Sequence, residues 1–136
     1  MDTLSKERRS WNMSRIKGKD TKPELIVRSL LHSMGYRYRL HQKSLPGKPD
    51  MVFKKYRAVI FVHGCFWHRH KGCKFAYKPK SKQEFWQRKF LENEARDKKN
   101  RFKLEKLDWK VLVIWECEVE NIEKLKRKVT AFLQSE

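Results

Sequence analysis

The residues with the clearest chemical potential are two cysteines and two histidines within nine positions. Cys65, His68, His70 and Cys73 lie in one short segment, and Cys117 follows a strongly apolar stretch further along the chain. Thiolates and imidazoles at this density are typical ligands of structural zinc. Cys65, His70, Cys73 and Cys117 would close a tetrahedral site, with His68 as the alternative to His70. Without a metal, the same residues would be free thiols and solvated histidines.

A second candidate centre surrounds Asp50, at the start of a predicted strand. If that strand forms a hairpin with the next, Asp50 comes close to the backbone of Val62 and His63. A carboxylate opposite a main-chain carbonyl can hold Mg²⁺, which keeps most of its waters. His63 and His68 are candidates for general base or acid, and Glu24 for a second carboxylate acting through water. Together these residues indicate metal-assisted phosphodiester hydrolysis. Taken singly, Asp50 would be a solvated turn residue.

Two further sets of side chains each have two interpretations. Asn93 and Asp97 interrupt the apolar face of a predicted long helix. Asp97 either orients a catalytic histidine or belongs to a polar network within that face. Phe66 and Trp67 lie inside the candidate zinc loop, where they either form a wedge between base pairs or a small core around the metal. The residues alone leave both questions open.

The composition favours a nucleic-acid partner. The 136 residues include 34 Lys and Arg against 16 acids, a net charge of +18. The hydrophobic fraction of 39% and aromatic fraction of 12% favour a folded domain over a disordered basic tail. Such an excess of positive charge on a folded domain indicates a polyanion. The sequence shows no apolar run of membrane-spanning length and no secretion signal at its start, so we expect a cytoplasmic protein.

The elements that must position these residues follow the order α-β-β-β-α-β-α. We expect a basic arm at residues 1–19 and a single domain at 20–136. The predicted elements are a helix from Asp20 to Gly35, strands at 36–40, 50–53 and 57–62, a loop at 63–80, a helix at 82–107, a strand at 109–115 and a helix at 122–133. The inward face of the long helix is predicted to comprise Trp86, Phe90, Asn93, Asp97, Arg101 and Leu104. This order predicts an α/β fold with a mixed central sheet flanked by helices.

Several strings of the sequence resemble one enzyme family. They are SLPGKPD at 44–50, VIFVHGCFWH at 59–68, EFW at 84–86 and WEC at 115–117, with further similarity at 12–16 and 93–97. Over about residues 8 to 118 the chain resembles the very-short-patch (Vsr) DNA mismatch endonucleases. The resemblance implies a restriction-endonuclease-like fold with a structural zinc. It also implies Mg²⁺-dependent nicking of duplex DNA on the 5′ side of the thymine in T:G mismatches left by deamination of 5-methylcytosine.

The resemblance also implies residue roles. Asp50 would bind Mg²⁺ with the main-chain carbonyl of Val62, and His68 would activate water with the help of His63 and Glu24. The zinc ligands would be Cys65, His70, Cys73 and Cys117, and the residues inserted beside the mismatch Met13, Phe66 and Trp67. Two features depart from the family: an extra residue in Lys71-Gly72, and valine in place of threonine at position 62.

Other functions are compatible with these residues. One alternative is a zinc-stabilised module that binds distorted DNA without cutting it. Another is a related nuclease of restriction-type specificity. The expected partners are duplex DNA with a T:G mismatch and mismatch-repair proteins, and the chain itself is expected to be a monomer.

Overall fold

A computed structural model of the chain describes residues 21–135. Its elements are α1 (Lys22–Ser33), β1 (Arg39–Leu40), β2 (Met51–Phe53), β3 (Ala58–His63), α2 (Gln83–Lys106), β4 (Lys110–Trp115) and α3 (Ile122–Gln134), with short 3-10 turns at Lys54–Tyr56 and Glu116–Glu120. The predicted order of helices and strands is therefore confirmed. The basic arm predicted for residues 1–19 lies outside the described residues. No helix within residues 21–135 is long and apolar enough to cross a membrane.

The strands form one mixed sheet in the order β1-β2-β3-β4. β2 and β3 make the predicted antiparallel hairpin, in which Met51 pairs with Ile60. β3 and β4 are parallel, in register from Ala58–Lys110 to His63–Trp115. The carboxyl ends of these two strands therefore lie side by side, and the residues that follow them meet at one edge of the sheet. The strand predicted at 36–40 is observed only at its last two residues, which are the ones that pair with β2.

α1 and α3 cover one face of the sheet. The side chain of Thr21 accepts a hydrogen bond from the Glu24 amide and caps α1, and Asn121 caps α3 in the same way through the Lys124 amide. Apolar residues at helical spacing on both helices are buried against the sheet: Val27, Leu30, Leu31, Leu125, Val129 and Leu133. The sheet contributes Met51, Phe53, Ala58, Ile60 and Ile114 to this core. Burial of these side chains is the main term that stabilises the fold.

α2 lies on the opposite face, and most of it does not pack on the sheet. Leu104, near the end of the helix, is fully buried. It packs in a small core with Val59, Trp109 and Val111. The other members of its predicted inward face are partly exposed, and Arg101 is exposed. Of the predicted inward face only Leu104 is thus fully buried, and the first half of α2 packs on the loop after β3. A groove remains between residues 94–101 of α2 and the sheet.

The turn before β2 fixes the position of that groove. Gly47 has a φ of +76°, a left-handed conformation that favours glycine. A Cβ at this position would lie 2.9 Å from the Cβ of Asn100 on α2. The turn therefore packs closely on α2 three residues before Asp50, and any other residue at position 47 would push the two apart.

Candidate active site and metal centre

Asp50 lies immediately before β2, at the edge of the groove. Its Oδ2 accepts a hydrogen bond of 2.6 Å from the amide of Val62, near the end of β3. The hairpin thus brings Asp50 to the Val62 backbone as predicted, and the observed contact is made by the N–H group. Coordination of a metal by the carbonyl of Val62 stays a prediction.

Glu24 and His41 form a cluster with Asp50. Glu24 belongs to the first turn of α1 and is 2% exposed, and His41 follows β1. One ligand atom from each of the three side chains lies within 4.8 Å of the others. Nη2 of Arg28, one turn along α1, lies 2.6 Å from Oε2 of Glu24 and 2.9 Å from Nε2 of His41. The structure thus brings Glu24 to Asp50, although 26 positions separate them in the sequence.

His41 is a member of this cluster that the sequence did not identify. Its only sequence signal was the alternation of polar and apolar residues at 36–41, which placed it on the polar side of a strand. Since the guanidinium of Arg28 can only donate, Nε2 of His41 accepts in this contact. The proton of the neutral ring is then on Nδ1, which lies 3.9 Å from Oδ1 of Asp50. Nε2 also lies 3.5 Å from Oε1 of Glu24, so His41 lies between the two carboxyl groups.

The electrostatics of this cluster suit a divalent cation. Burial and the neighbouring carboxyl group of Glu24 raise the pKa of Asp50 to about 8, although the Val62 amide and Arg28 act in the opposite direction. Ionisation of both carboxyl groups at once is therefore unfavourable, and a bound cation would offset this cost. Hard oxygen ligands beside an open groove match Mg²⁺, which needs few protein ligands and retains its waters. Asp50, which lines the groove, therefore fits this ion, and Glu24 lies close enough to act through a water molecule.

His63 and His68 stack on each other beside the groove, with ring centroids 3.8 Å apart and planes 8° from parallel. Nδ1 of His68 lies 2.6 Å from Oδ2 of Asp97 on α2. Of the two interpretations of Asp97, the geometry thus favours orientation of a histidine. His63 is buried, and burial together with the neighbouring His68 lowers its pKa to about 4. His63 is therefore neutral at pH 7, and Nε2 of His68 is the ring nitrogen that does not contact Asp97.

The three cysteines and His70 converge beyond the carboxyl ends of β3 and β4. Sγ of Cys65 and Sγ of Cys117 lie 3.6 and 3.4 Å from Nδ1 of His70. One ligand atom from each of the four side chains, including Cys73, lies within 4.8 Å of the others. Bond lengths of about 2.0 to 2.3 Å place the ligands of a tetrahedral zinc ion about 3.3 to 3.8 Å apart, so this set of donors fits zinc.

The geometry also addresses two questions about this cluster. His68 contacts Asp97, so His70 is the histidine that joins the cysteines. Gly72, one of the two residues between His70 and Cys73, adopts a left-handed φ of +71° and forms a turn before Cys73. The additional residue is therefore accommodated without separating the ligands.

Phe66 and Trp67 pack on the first half of α2. The ring of Phe66 lies 5.5 Å from Trp86 and 5.3 Å from Phe90, and the ring of Trp67 lies 5.4 Å from Trp86. Asn93 donates a hydrogen bond to the carbonyl of Trp67. Both aromatic residues remain partly exposed. They form a small aromatic core, and their action as a wedge stays a prediction. Met13 lies outside the described residues.

These groups share one groove with a basic margin. The cavity has a volume of about 1240 Å³ and is lined by Asp50, His63, His68 and Asp97. Basic side chains surround them: Lys43, Lys48, Arg69, Lys71, Arg96, Lys98 and Arg101. A polyanionic backbone is attracted to such a margin and would be brought to the acidic and histidine residues inside it.

Known proteins resemble this chain over most of its length. Residues 1–74 match the family described as DNA mismatch endonuclease Vsr. The chain is 48% identical over 132 residues to the type II nicking enzyme V.XorIIP of Xanthomonas oryzae pv. oryzae. The matched region covers 97% of this chain and 96% of that protein. It is 44% identical over 124 residues to the DNA mismatch endonuclease Vsr of Escherichia coli K12, covering 91% and 79% of the two chains.

A solved structure supports the fold. The catalytic domain of the homing endonuclease I-Bth0305I matches with a TM-score of 0.60 at 23% identity, over 85% of this chain and the whole of that domain. The mixed sheet flanked by helices is therefore an arrangement also found in an endonuclease catalytic domain.

Proposed function

This chain belongs to the Vsr family of DNA mismatch endonucleases, and on that basis we propose that it nicks one strand of duplex DNA on the 5′ side of the thymine in a T:G mismatch. Such mismatches result from deamination of 5-methylcytosine. The observation that carries the proposal is the convergence of Asp50 and the His68–Asp97 pair in one basic-rimmed groove. A protein that only bound distorted DNA would have no use for a carboxylate and an oriented base at this position.

Asp50 is the side chain we assign to Mg²⁺, with the main-chain carbonyl of Val62 as a second ligand and Glu24 as a carboxylate that acts through water. The bound ion would supply Lewis-acid polarisation of the scissile phosphate. The amide of Val62 holds Oδ2 of Asp50 in place, and Arg28 holds Oε2 of Glu24. Both carboxylates are thus oriented by the protein before a substrate arrives, which reduces the cost of reorganisation during the reaction.

His68 is the residue we assign as general base. Its Nε2 accepts a proton from the attacking water, and Asp97 stabilises the resulting imidazolium through Nδ1–H. His63 supports the ring of His68 by stacking, and its low pKa keeps it uncharged beside the forming cation. Neutral His63 therefore adds no charge repulsion when His68 takes up the proton.

The Cys/His cluster serves a different purpose in this proposal. Cys65, His70, Cys73 and Cys117 would occupy all positions of a tetrahedral zinc ion, which leaves none for a substrate. Its role is to order the loop that carries His68 and the pair Phe66–Trp67. We propose that this aromatic pair, together with Met13, inserts beside the mismatch.

Strand-specific nicking of labelled duplexes tests the proposed function. Each strand is labelled in turn in three duplexes that differ only at one position, which is T:G, T:A or C:G, and the products are resolved at single-nucleotide length with and without Mg²⁺. We expect one Mg²⁺-dependent cut, 5′ of the mismatched thymine, and intact matched duplexes. Cutting of all three duplexes would indicate restriction-type specificity. Tight binding without any cut would indicate a DNA-binding module.

A further inference from the structure

Arg69 joins two separate parts of the loop that carries the aromatic pair. Its guanidinium donates hydrogen bonds to three main-chain carbonyls: from Nη1 to Phe66 at 3.2 Å and to Tyr77 at 3.1 Å, and from Nη2 to Ala76 at 2.9 Å. The segment between β3 and α2, residues 64–82, contains neither helix nor strand. Phe66 lies near its start, and Ala76 and Tyr77 lie about two thirds of the way along it. One side chain thus closes residues 66–77 into a smaller loop within this segment.

The same guanidinium ties the loop to α2. Its Cζ lies 4.0 Å from the ring centroid of Phe90, a distance typical of a cation–π contact. Phe90 in turn meets Phe66 edge-on at 5.3 Å, and the ring of Tyr77 stacks on Phe66 at 4.9 Å. The position of Phe66 is therefore determined by rings and carbonyls that Arg69 holds together.

The contacts of Arg69 offset the cost of an unfavourable backbone conformation at this residue. Its φ of +56° is left-handed, which is unfavourable for a residue with a Cβ. The neighbouring residues are His68, which contacts Asp97, and His70, which belongs to the Cys/His cluster. Because the chain turns at Arg69, the histidines on either side of it face different sites.

We propose that Arg69 is a positioning residue that holds Phe66 and Trp67 in the arrangement needed for insertion into mismatched DNA, and that it does not bind a DNA phosphate. The inference rests on the proposed function, since it requires the aromatic pair to act on a mismatch. Arg69 lines the basic groove and by charge alone would be taken for a phosphate ligand. Its donors instead point at carbonyls of its own loop, in a fork that a lysine cannot reproduce.

Binding measurements on three variants separate these roles. Arg69→Ala removes the fork and the charge, Arg69→Lys removes the fork alone, and Lys98→Ala removes an exposed positive charge that lines the same groove. Affinities for T:G and matched duplexes are measured without Mg²⁺ over a range of salt concentrations. We expect both Arg69 variants to lose mismatch preference by about tenfold, the size of one lost base–aromatic stack.

The salt dependence gives a second readout that a merely structural role would not move. A residue that contacts phosphate contributes about 0.9 to the slope of log affinity against log salt. We expect Lys98→Ala to lower this slope with unchanged mismatch preference, and Arg69→Ala to keep the wild-type slope on matched DNA. The inference would be overturned in favour of a phosphate contact by two results together. These are a wild-type preference for T:G duplexes in Arg69→Lys and a lowered salt slope in Arg69→Ala.

Proteolysis tests the loop without reference to any activity. Trypsin cleavage after Lys71 and Lys74 is compared in the wild type, the two Arg69 variants and Lys98→Ala. We expect both Arg69 variants to be cleaved faster than the wild type, and Lys98→Ala to be cleaved at the wild-type rate. Equal cleavage in all four proteins overturns the inference. If the wild type has no T:G preference, the proposed function and this inference both fail. If the wild type prefers T:G and both Arg69 variants keep that preference, only this inference fails.

Discussion

The Nδ1 atom of His68 lies 2.6 Å from Oδ2 of Asp97, across the groove between the loop after β3 and helix α2. A carboxylate accepts but does not donate, so the imidazole proton is on Nδ1 and the lone pair is on Nε2. The contact fixes both the tautomer and the direction of the ring. It also explains why a polar residue occupies this position on the groove-facing side of α2.

Asp97→Asn tests this orientation. The amide can donate to Nδ1 and favour the wrong tautomer, so we expect the single-turnover nicking rate to fall by about 10² to 10⁴ with little change in DNA affinity. Glu94→Gln is the matched control, since Glu94 lines the same groove from the same helix. Comparable rates for the two variants would show that Asp97 does not act through His68.

Asp50→Asn tests the charge balance of the carboxylate cluster. Folding raises the pKa of Asp50 from its ordinary 3.8 to about 8. The Asp50 carboxyl group therefore holds its proton more tightly in the folded protein than in the unfolded chain. Stability from this group therefore falls as the pH rises from about 4 to about 8. Asparagine carries no charge and keeps an acceptor for the Val62 amide.

We therefore expect Asp50→Asn to be more stable than the wild type in Mg²⁺-free buffer, by on the order of 2 kcal/mol at pH 8 and by little near pH 4. Denaturant unfolding at a series of pH values measures this difference. A variant that is less stable than the wild type at pH 8 would show that Asp50 is held by interactions that favour its charged form.

Cys117→Ser tests the Cys/His cluster. Removal of one of four ligands should release the metal, because a structural site depends on its full set of donors. We expect zinc content to fall to background, and the free energy of unfolding to fall by at least about 2 kcal/mol. Glu120→Gln, an exposed change in the same 3-10 turn, is the control. Full zinc content in purified Cys117→Ser would exclude this cysteine as a ligand.

Trp67→Ala tests the wedge. If Trp67 inserts beside the mismatch, its loss should reduce the preference for T:G over matched duplexes by about tenfold and leave matched binding nearly unchanged. Phe85→Ala is the control, since Phe85 is 48% exposed and contacts the same aromatic core through Trp86. An equal loss of affinity for both duplexes would assign Trp67 to the aromatic core alone.

Local patterns in the sequence were enough to predict most of the fold. A cap at Asp20 or Thr21 and the apolar stripe of Ile26, Leu30 and Met34, widened by Val27 and Leu31, placed α1 within a few residues of its observed bounds. The apolar runs at 58–62 and 109–115 are the two parallel strands. Short-range spacing also brought Asp50 to Val62, because a hairpin determines which residues face each other.

Long-range contacts were harder to predict. His41 joins Glu24 and Asp50 only because α1 and β2 meet at one edge of the sheet, and no local spacing indicates this. The spacing along α2 predicted which residues face inward but not what they contact. Phe66 and Trp67 pack on the first half of α2, and Asp97 faces His68 across the groove.

Single-turnover nicking of a T:G duplex by the wild type and Asp50→Asn is the most direct test of the central claim, which is that this groove hydrolyses one strand of mismatched DNA with Asp50 as a metal ligand. Both proteins are used in excess over DNA in Mg²⁺, after equal affinity for the duplex has been confirmed. We predict one cut, 5′ of the mismatched thymine, by the wild type and none by Asp50→Asn. Undiminished nicking by Asp50→Asn at equal binding would contradict the account.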